Sequence, residues 1–269
     1  MHKTREFGAT KQVPFGMKSI LTAVSVVVLL SACNGKNGIT SDKATNLTSA
    51  GTTALKAATL SDADVKDLSD KSCSALDAEA KIAPTKSKEA LRLAKIVKSM
   101  PTTVNNVSIN YKVYLTKDVN AWAMNNGCVR VYSGLLTLMN DDEVRGVIGH
   151  EVGHVALGHS KAAMQTAYTA SAARQAVSAA GNQAVAAISN SQLGDLTEKL
   201  INAQFSQVQE SAADDYSFDL LTAAKLKREG LITAFEKLAK LGNTSSMLSS
   251  HPSSSERAQH IRDRIANKK

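Results

Sequence analysis

The chain predicts an α+β fold that is mostly helical, with a small mixed or antiparallel sheet ahead of a central buried helix. Three observations predict it. Residues 141–159 carry Val144, Val147, Ile148, Val152 and Val155 at helical spacing, behind Asn140 and Glu143 in capping-box register. Leu196, Leu200, Val208, Leu220 and Leu221 continue a helical pattern downstream. Val107 to Leu115 instead alternates as a strand does, and Cys128 to Tyr132 follows the turn-like Asn125-Asn126-Gly127.

At the amino terminus, Met17-Lys18-Ser19, the apolar run Ile20 to Leu30 and the small residues before Cys33 have the three parts of a secretory signal. Residues 1–16 read as an over-extended start and 17–32 as the signal peptide. An apolar run of about eleven residues is too short to span a bilayer. Leu30-Ser31-Ala32-Cys33 resembles a bacterial lipobox, which implies that Cys33 becomes the acylated first residue of the mature protein. Asn34 after it suits export to the outer membrane, so the expected location is the periplasmic face of that membrane. Residues 33–60 are the lipidated Cys and a flexible tether rich in Ser, Thr, Asn, Gly and Ala. Residues 61–269 are long enough for one substantial core.

The full chain has 32 Lys+Arg against 24 Asp+Glu, a net charge of +8. The first 32 residues hold four Lys/Arg and one Glu, leaving 28 basic and 23 acidic residues and a net charge of +5. Nothing clusters basic and aromatic residues into a nucleic-acid platform, so nucleic acid is not an expected partner. With Cys33 assigned to lipid, Cys73 and Cys128 remain as a pair in an oxidising compartment, and a disulfide between them is expected, two buried free thiols being the alternative.

The chemistry concentrates in His150-Glu151-Val152-Gly153-His154. Histidines four apart project from one face of a helix, so two imidazoles reach one cation while Glu151 is placed to take a proton from the attacking water. A third ligand distinguishes the classes of such sites. A histidine six residues after the second is excluded, because that position is Ser160 and the glycine its turn needs is Leu157. His159, nine residues past His150, lies about 180° around a continuous helix and reads as a structural or surface residue. Glu210-Ser211-Ala212-Ala213-Asp214 offers two carboxylates one helical turn apart, and Glu210 is the expected third ligand. Asp214 then receives an imidazole N–H, or is an ordinary solvated carboxylate.

The H-E-x-G-H segment, the E-x-x-A-D segment and the late His251-Pro252-x-x-x-x-Arg257 segment together resemble the HtpX and CAAX-prenyl-protease family of zinc metallopeptidases. The resemblance covers most of the chain from about residue 61 and implies a zincin-like catalytic domain whose edge strand faces the metal helix. It makes His150, His154 and Glu210 the ligands of one Zn2+ and Glu151 the general base. It places Arg257 near the metal, stabilising the oxyanion, and makes His251 an extra or switchable ligand. Asn120-Ala121-Trp122-Ala123 matches the edge strand along which substrate lies extended, although Trp122 reads equally well as a core anchor. The Ala-rich stretch 162–192 is interrupted by Gln165, Arg174, Gln175, Asn182 and Gln183, which fits helix packing or a mobile cover rather than a membrane span.

The expected function is a lipid-anchored periplasmic zinc endopeptidase that cuts unfolded or misassembled envelope proteins. Its further partners would be other envelope proteases or the outer-membrane assembly machinery. The alternative is a chaperone-like or scaffold lipoprotein with a structural or latent zinc site. An intact Glu151 disfavours that, because a structural site needs no general base and usually closes with a fourth protein ligand, which only His251 offers.

Overall fold

The computed structural model describes residues 60–178, 190–242, 246–251 and 254–267. The start segment, the signal peptide, Cys33 and all of the tether but its last residue lie outside the described residues, as does the middle of the Ala-rich stretch. Among the described residues no helix is long and apolar enough to cross a membrane.

Helix α1 (Asp62–Glu79) opens on a reciprocal cap. Ser61 Oγ accepts from the Asp64 amide, and the Asp64 carboxylate accepts from the Ser61 N–H. Helix α2 (Lys88–Val97) is amphipathic and buries Leu93 and Ile96. A two-residue hairpin joins β1 (Thr103–Val104) to β2 (Val107–Ser108), with Asn105 and Asn106 both at positive φ, as such tight loops require.

The single strand expected over 107–115 is in fact two. At Ile109 the backbone changes partners: the Ile109 N–H donates to Thr102 and the Asn110 N–H to Gly127. β3 (Asn110–Tyr114) therefore enters a second sheet. There it runs parallel to β5 (Cys128–Tyr132), and β4 (Ala121–Ala123) pairs antiparallel with the other side of β5. The order β3-β5-β4 leaves β4 on an edge, and the sheet is mixed, as expected.

Behind the sheet stand α3 (Ser133–Leu138) and α4 (Asp141–Ala156). They are followed by α5 (His159–Ser178), α6 (Asn190–Ile201), α7 (Gln207–Ala223), α8 (Glu229–Leu241), α9 (Ser246–Ser250) and α10 (Ser254–Asn267). Helix α4 begins at the predicted capping box of Asn140 and Glu143 and is buried on every side along its last three turns. It ends earlier than the expected 159. Gly158 at φ +74° leaves the α-helical region, and α5 restarts at His159 on a new axis.

Small residues let α4 and α7 approach closely. A Cβ on Gly149 would sit 2.4 Å from Ser217 Oγ, and one on Gly153 would sit 3.1 Å from the Ala213 carbonyl oxygen. Ser217 Oγ donates to the Gly146 carbonyl across the same seam at 2.9 Å. Leucines at those glycine positions would push α7, and the carboxylates it carries, out of reach of the α4 histidines.

The Cys73 and Cys128 sulfurs are bonded, fastening α1 to β5 across a sequence separation of 55. Beside them Arg130 is buried and grips Asp77 through two N–H donors at 2.7 and 2.9 Å. Lys112 and Tyr114 donate to the same carboxylate at 2.7 Å each. Burial by itself raises the Asp77 pKa, but these donors outweigh it and hold the carboxyl well below the usual carboxylate range.

Candidate metal centre

Helix α4 presents His150 and His154 one turn apart, with their Nε2 atoms 3.0 Å from each other. Helix α7 brings Glu210 on its first turn, and Glu210 Oε1 lies 3.3 Å from His154 Nε2. His251, just past α9, adds a third imidazole whose Nδ1 is 3.2 Å from His150 Nε2 and 3.0 Å from Glu210 Oε1. These four donors are buried and lie within 4.8 Å of one another.

The arrangement fits a cation on its own chemistry. Burial lowers the pKa of His150 and brings that of His154 down to about 4, so both rings stay neutral and offer lone pairs. Burial raises the Glu210 pKa, but the close approach of the His154 and His251 imidazoles outweighs it and keeps the side chain a carboxylate. Bonds of about 2.0–2.1 Å in a tetrahedral site place neighbouring donors about 3.3 Å apart, close to the separations here. Two facing Nε2 lone pairs can share at most one proton; a single cation satisfies both.

Glu151 lies on the same helix, its Oε1 buried, without a hydrogen-bond partner, and 3.5 Å from His251 Nε2. Burial pushes its carboxyl up to about 7, against the opposing charge of His251. A cation nearby would draw that value back down. Burial and a bound cation would thus pull the proton affinity of this carboxyl in opposite directions.

Outside the donor set, His150 Nδ1 donates to Asp214 Oδ1 at 2.8 Å, so Asp214 is a buried partner and not a solvated carboxylate. Arg257, from α10, donates to both Asp214 oxygens and sets Nη1 2.7 Å from Glu210 Oε2, off the angle of a hydrogen bond. Its guanidinium also lies 4.2 Å from the centroid of the Phe235 ring.

Asn120-Ala121-Trp122-Ala123 does form the sheet edge, with Asn120 immediately before β4. Its outer rim is partly capped: the Ala121 N–H is taken by Asn120 Oδ1 at 2.9 Å, and Ser160 Oγ donates to the Ala123 carbonyl at 3.2 Å. The Trp122 ring packs edge-to-face on Tyr114, so its side chain anchors the core while its backbone belongs to the edge. An apolar recess lined by Trp122, Met124, Met164, Leu200 and Phe205 lies against this strand.

Two residues of the site were not legible from spacing. Phe205 stacks on His154 with ring centroids 3.8 Å apart, and covers the donors from the α6–α7 connection. His159 Nδ1 lies 3.0 Å from His154 Nδ1, because the chain breaks at Gly158 and brings alongside a residue that a continuous helix would turn away. Gly158 was the available signal for that break.

Comparisons with known proteins agree with this site. A model of peptidase family M48 matches residues 87–265. The metalloprotease YcaL of Escherichia coli (strain K12) is 52% identical over 254 residues, which cover 94% of this chain and 98% of that protein. The metalloprotease LoiP of the same strain is 51% identical over 252 residues, 93% of this chain and 97% of that protein. The protease HtpX of Acinetobacter baumannii (strain AYE) matches over 37 residues at 57% identity, 14% of this chain and 12% of that protein. The resemblance carried by the three motifs is thus matched over almost the whole length, and a family model covers more than half of it: the chain belongs to peptidase family M48 and is a metallopeptidase.

Proposed function

We propose that this metallopeptidase is a zinc-dependent endopeptidase, anchored by lipid on Cys33 to the periplasmic face of the outer membrane, that hydrolyses unfolded or misassembled envelope proteins. The observation that carries the peptidase chemistry is the convergence of two imidazole Nε2 atoms and the Glu210 carboxylate beside a buried, unpartnered Glu151 oxygen. Nitrogen and carboxylate donors without thiolate suit zinc.

His150, His154 and Glu210 would hold the metal. When bound, it supplies a Lewis acid that acidifies water and polarises the scissile carbonyl. Glu151 Oε1 takes the proton of the attacking water and later delivers it to the leaving amine. Asp214 orients His150 through Nδ1. Arg257 contributes positive charge beside the ligand carboxylate and stabilises the oxyanion that develops on the carbonyl. Substrate backbone adds to the rim of β4 at Asn120 to Ala123, and the apolar recess beside it receives a side chain. Strand addition reads backbone and tolerates sequence, which suits unfolded chains as substrates.

His251 supports a second reading. A fourth protein donor 3.2 Å from His150 Nε2 would saturate a tetrahedral metal and leave no position for water, as in a latent enzyme or a scaffold.

The test is cleavage of an unfolded reporter by the purified protein, beside Glu151→Gln and His251→Ala, with metal content read on each sample. Cleavage abolished in Glu151→Gln with metal retained supports the endopeptidase. Cleavage that appears only in His251→Ala supports latency, and metal without cleavage in every form moves the scaffold reading ahead. Cys33→Ala should release the protein from the membrane fraction; retention there would remove the lipid anchor from the proposal.

A further inference from the structure

We propose that His159 is a positioning residue for the metal site: its Nδ1 accepts the Nδ1–H of His154 and so locks the tautomer in which His154 Nε2 faces the metal. The inference rests on the assignment of His150 and His154 as ligands. Their Nε2 atoms face each other at 3.0 Å, so each neutral ring must carry its proton on Nδ1. For His150 that proton goes to Asp214 Oδ1 at 2.8 Å. For His154 the group in reach is His159 Nδ1 at 3.0 Å. A nitrogen-to-nitrogen hydrogen bond needs one donor and one acceptor, and His154 is already committed as donor. His159 therefore accepts at Nδ1 and carries its own proton on Nε2.

The backbone is shaped to make this contact. Five residues after His154, a continuous helix would rotate His159 about 140° away. Helix α4 instead stops at Ala156, Gly158 adopts φ +74°, and α5 begins at His159 with its ring centroid 5.1 Å from that of His154. A Cβ on Gly158 would meet nothing within 4 Å, so the glycine is needed for its backbone angle and not for space. Phe205, stacked on the face of the His154 ring, helps to hold it in place.

The two metal-facing imidazoles thus have different partners: a carboxylate braced by Arg257 behind His150, and a neutral imidazole behind His154. A neutral acceptor fixes ring and tautomer without adding to the negative charge of Glu210 and Asp214, which would keep a bound metal a stronger Lewis acid than a further carboxylate would.

The experiment compares wild-type protein with His159→Leu, which fills space without an acceptor, and His159→Asn, whose Oδ1 can occupy the Nδ1 position. Zn2+ affinity is read by competition with a chromophoric chelator, and the His154 Nδ1–H by side-chain nitrogen NMR. Thermal melts check that each variant folds. We expect His159→Leu to weaken Zn2+ binding about ten-fold and to lose the slowly exchanging N–H signal, with His159→Asn within about three-fold of wild type. Gly158→Ala, which keeps the histidine and disturbs its placement, should fall between them. Equal affinities for His159→Leu and His159→Asn, whether normal or reduced, overturn the positioning role alone. Wild-type protein that takes up no Zn2+ overturns the ligand assignment and the inference with it.

Discussion

Arg257 and Asp214 form a two-pronged ion pair inside the core, Nε 2.8 Å from Oδ2 and Nη2 2.7 Å from Oδ1, and the same Oδ1 holds the Nδ1 of His150. One carboxylate therefore ties α10, α7 and α4 together at the site. Asp214→Asn keeps an acceptor for His150 but removes the charge, and should weaken metal binding about 10- to 100-fold. Asp214→Ala removes both hydrogen-bonded acceptors of a buried guanidinium, leaving it only the Glu210 charge, and should destabilise the fold by about 3–5 kcal/mol. Chelator competition and urea unfolding measure the two effects; a neutral Asp214→Ala would mean that Glu210 alone satisfies Arg257.

Metal removal should lower stability as well as activity, since the donors are assembled only in the folded chain. At a free metal concentration about 100 times the dissociation constant, binding adds about 2.7 kcal/mol. A chelator should lower the melting temperature of wild-type protein, and Glu210→Gln should lose most of that response. An unchanged melting temperature would count against a cation at these residues.

Replacing Cys73 and Cys128 together by Ser should cost about 4 kcal/mol, the loop-closure term for a separation of 55 residues. The loss is read as a lower urea midpoint. Because β5 carries the edge strand on its flank, reporter cleavage should fall faster with temperature in the variant than in wild type.

Asp77 sets a pH dependence remote from the metal. Its folded pKa is depressed by Arg130, Lys112 and Tyr114, so its contribution is complete above the unfolded value of about 3.9 and is lost as pH falls further towards the folded value. Asp77→Asn should therefore be less stable than wild type from neutral pH down to about 4, with the gap narrowing below that. Urea midpoints across this range check it; a constant gap would assign the effect to packing.

Much of the site could be read along the chain because its parts are local. His150, Glu151 and His154 lie within one turn of one helix, and so do Glu210 and Asp214, where helical spacing alone dictates a shared face. The cap at Asn140 and Glu143, the helical character of the chain and a small sheet ahead of α4 followed from equally local patterns, whereas the edge near residue 122 was implied by the family resemblance.

What the sequence by itself determined is which side chains share a face and what chemistry they carry. Tertiary structure alone decided what meets across faces. His251 and Arg257 arrive from 101 and 107 residues beyond His150, a meeting that the family resemblance implied but no periodicity reports. The depth of the α4–α7 seam depends on which glycines oppose Ser217 and Ala213. The partner of His154 depends on a single positive φ at Gly158, which turns the chain out of one helix and into the next. The reason is physical: spacing encodes direction within an element, whereas contact between elements depends on packing and on backbone breaks that redirect the chain.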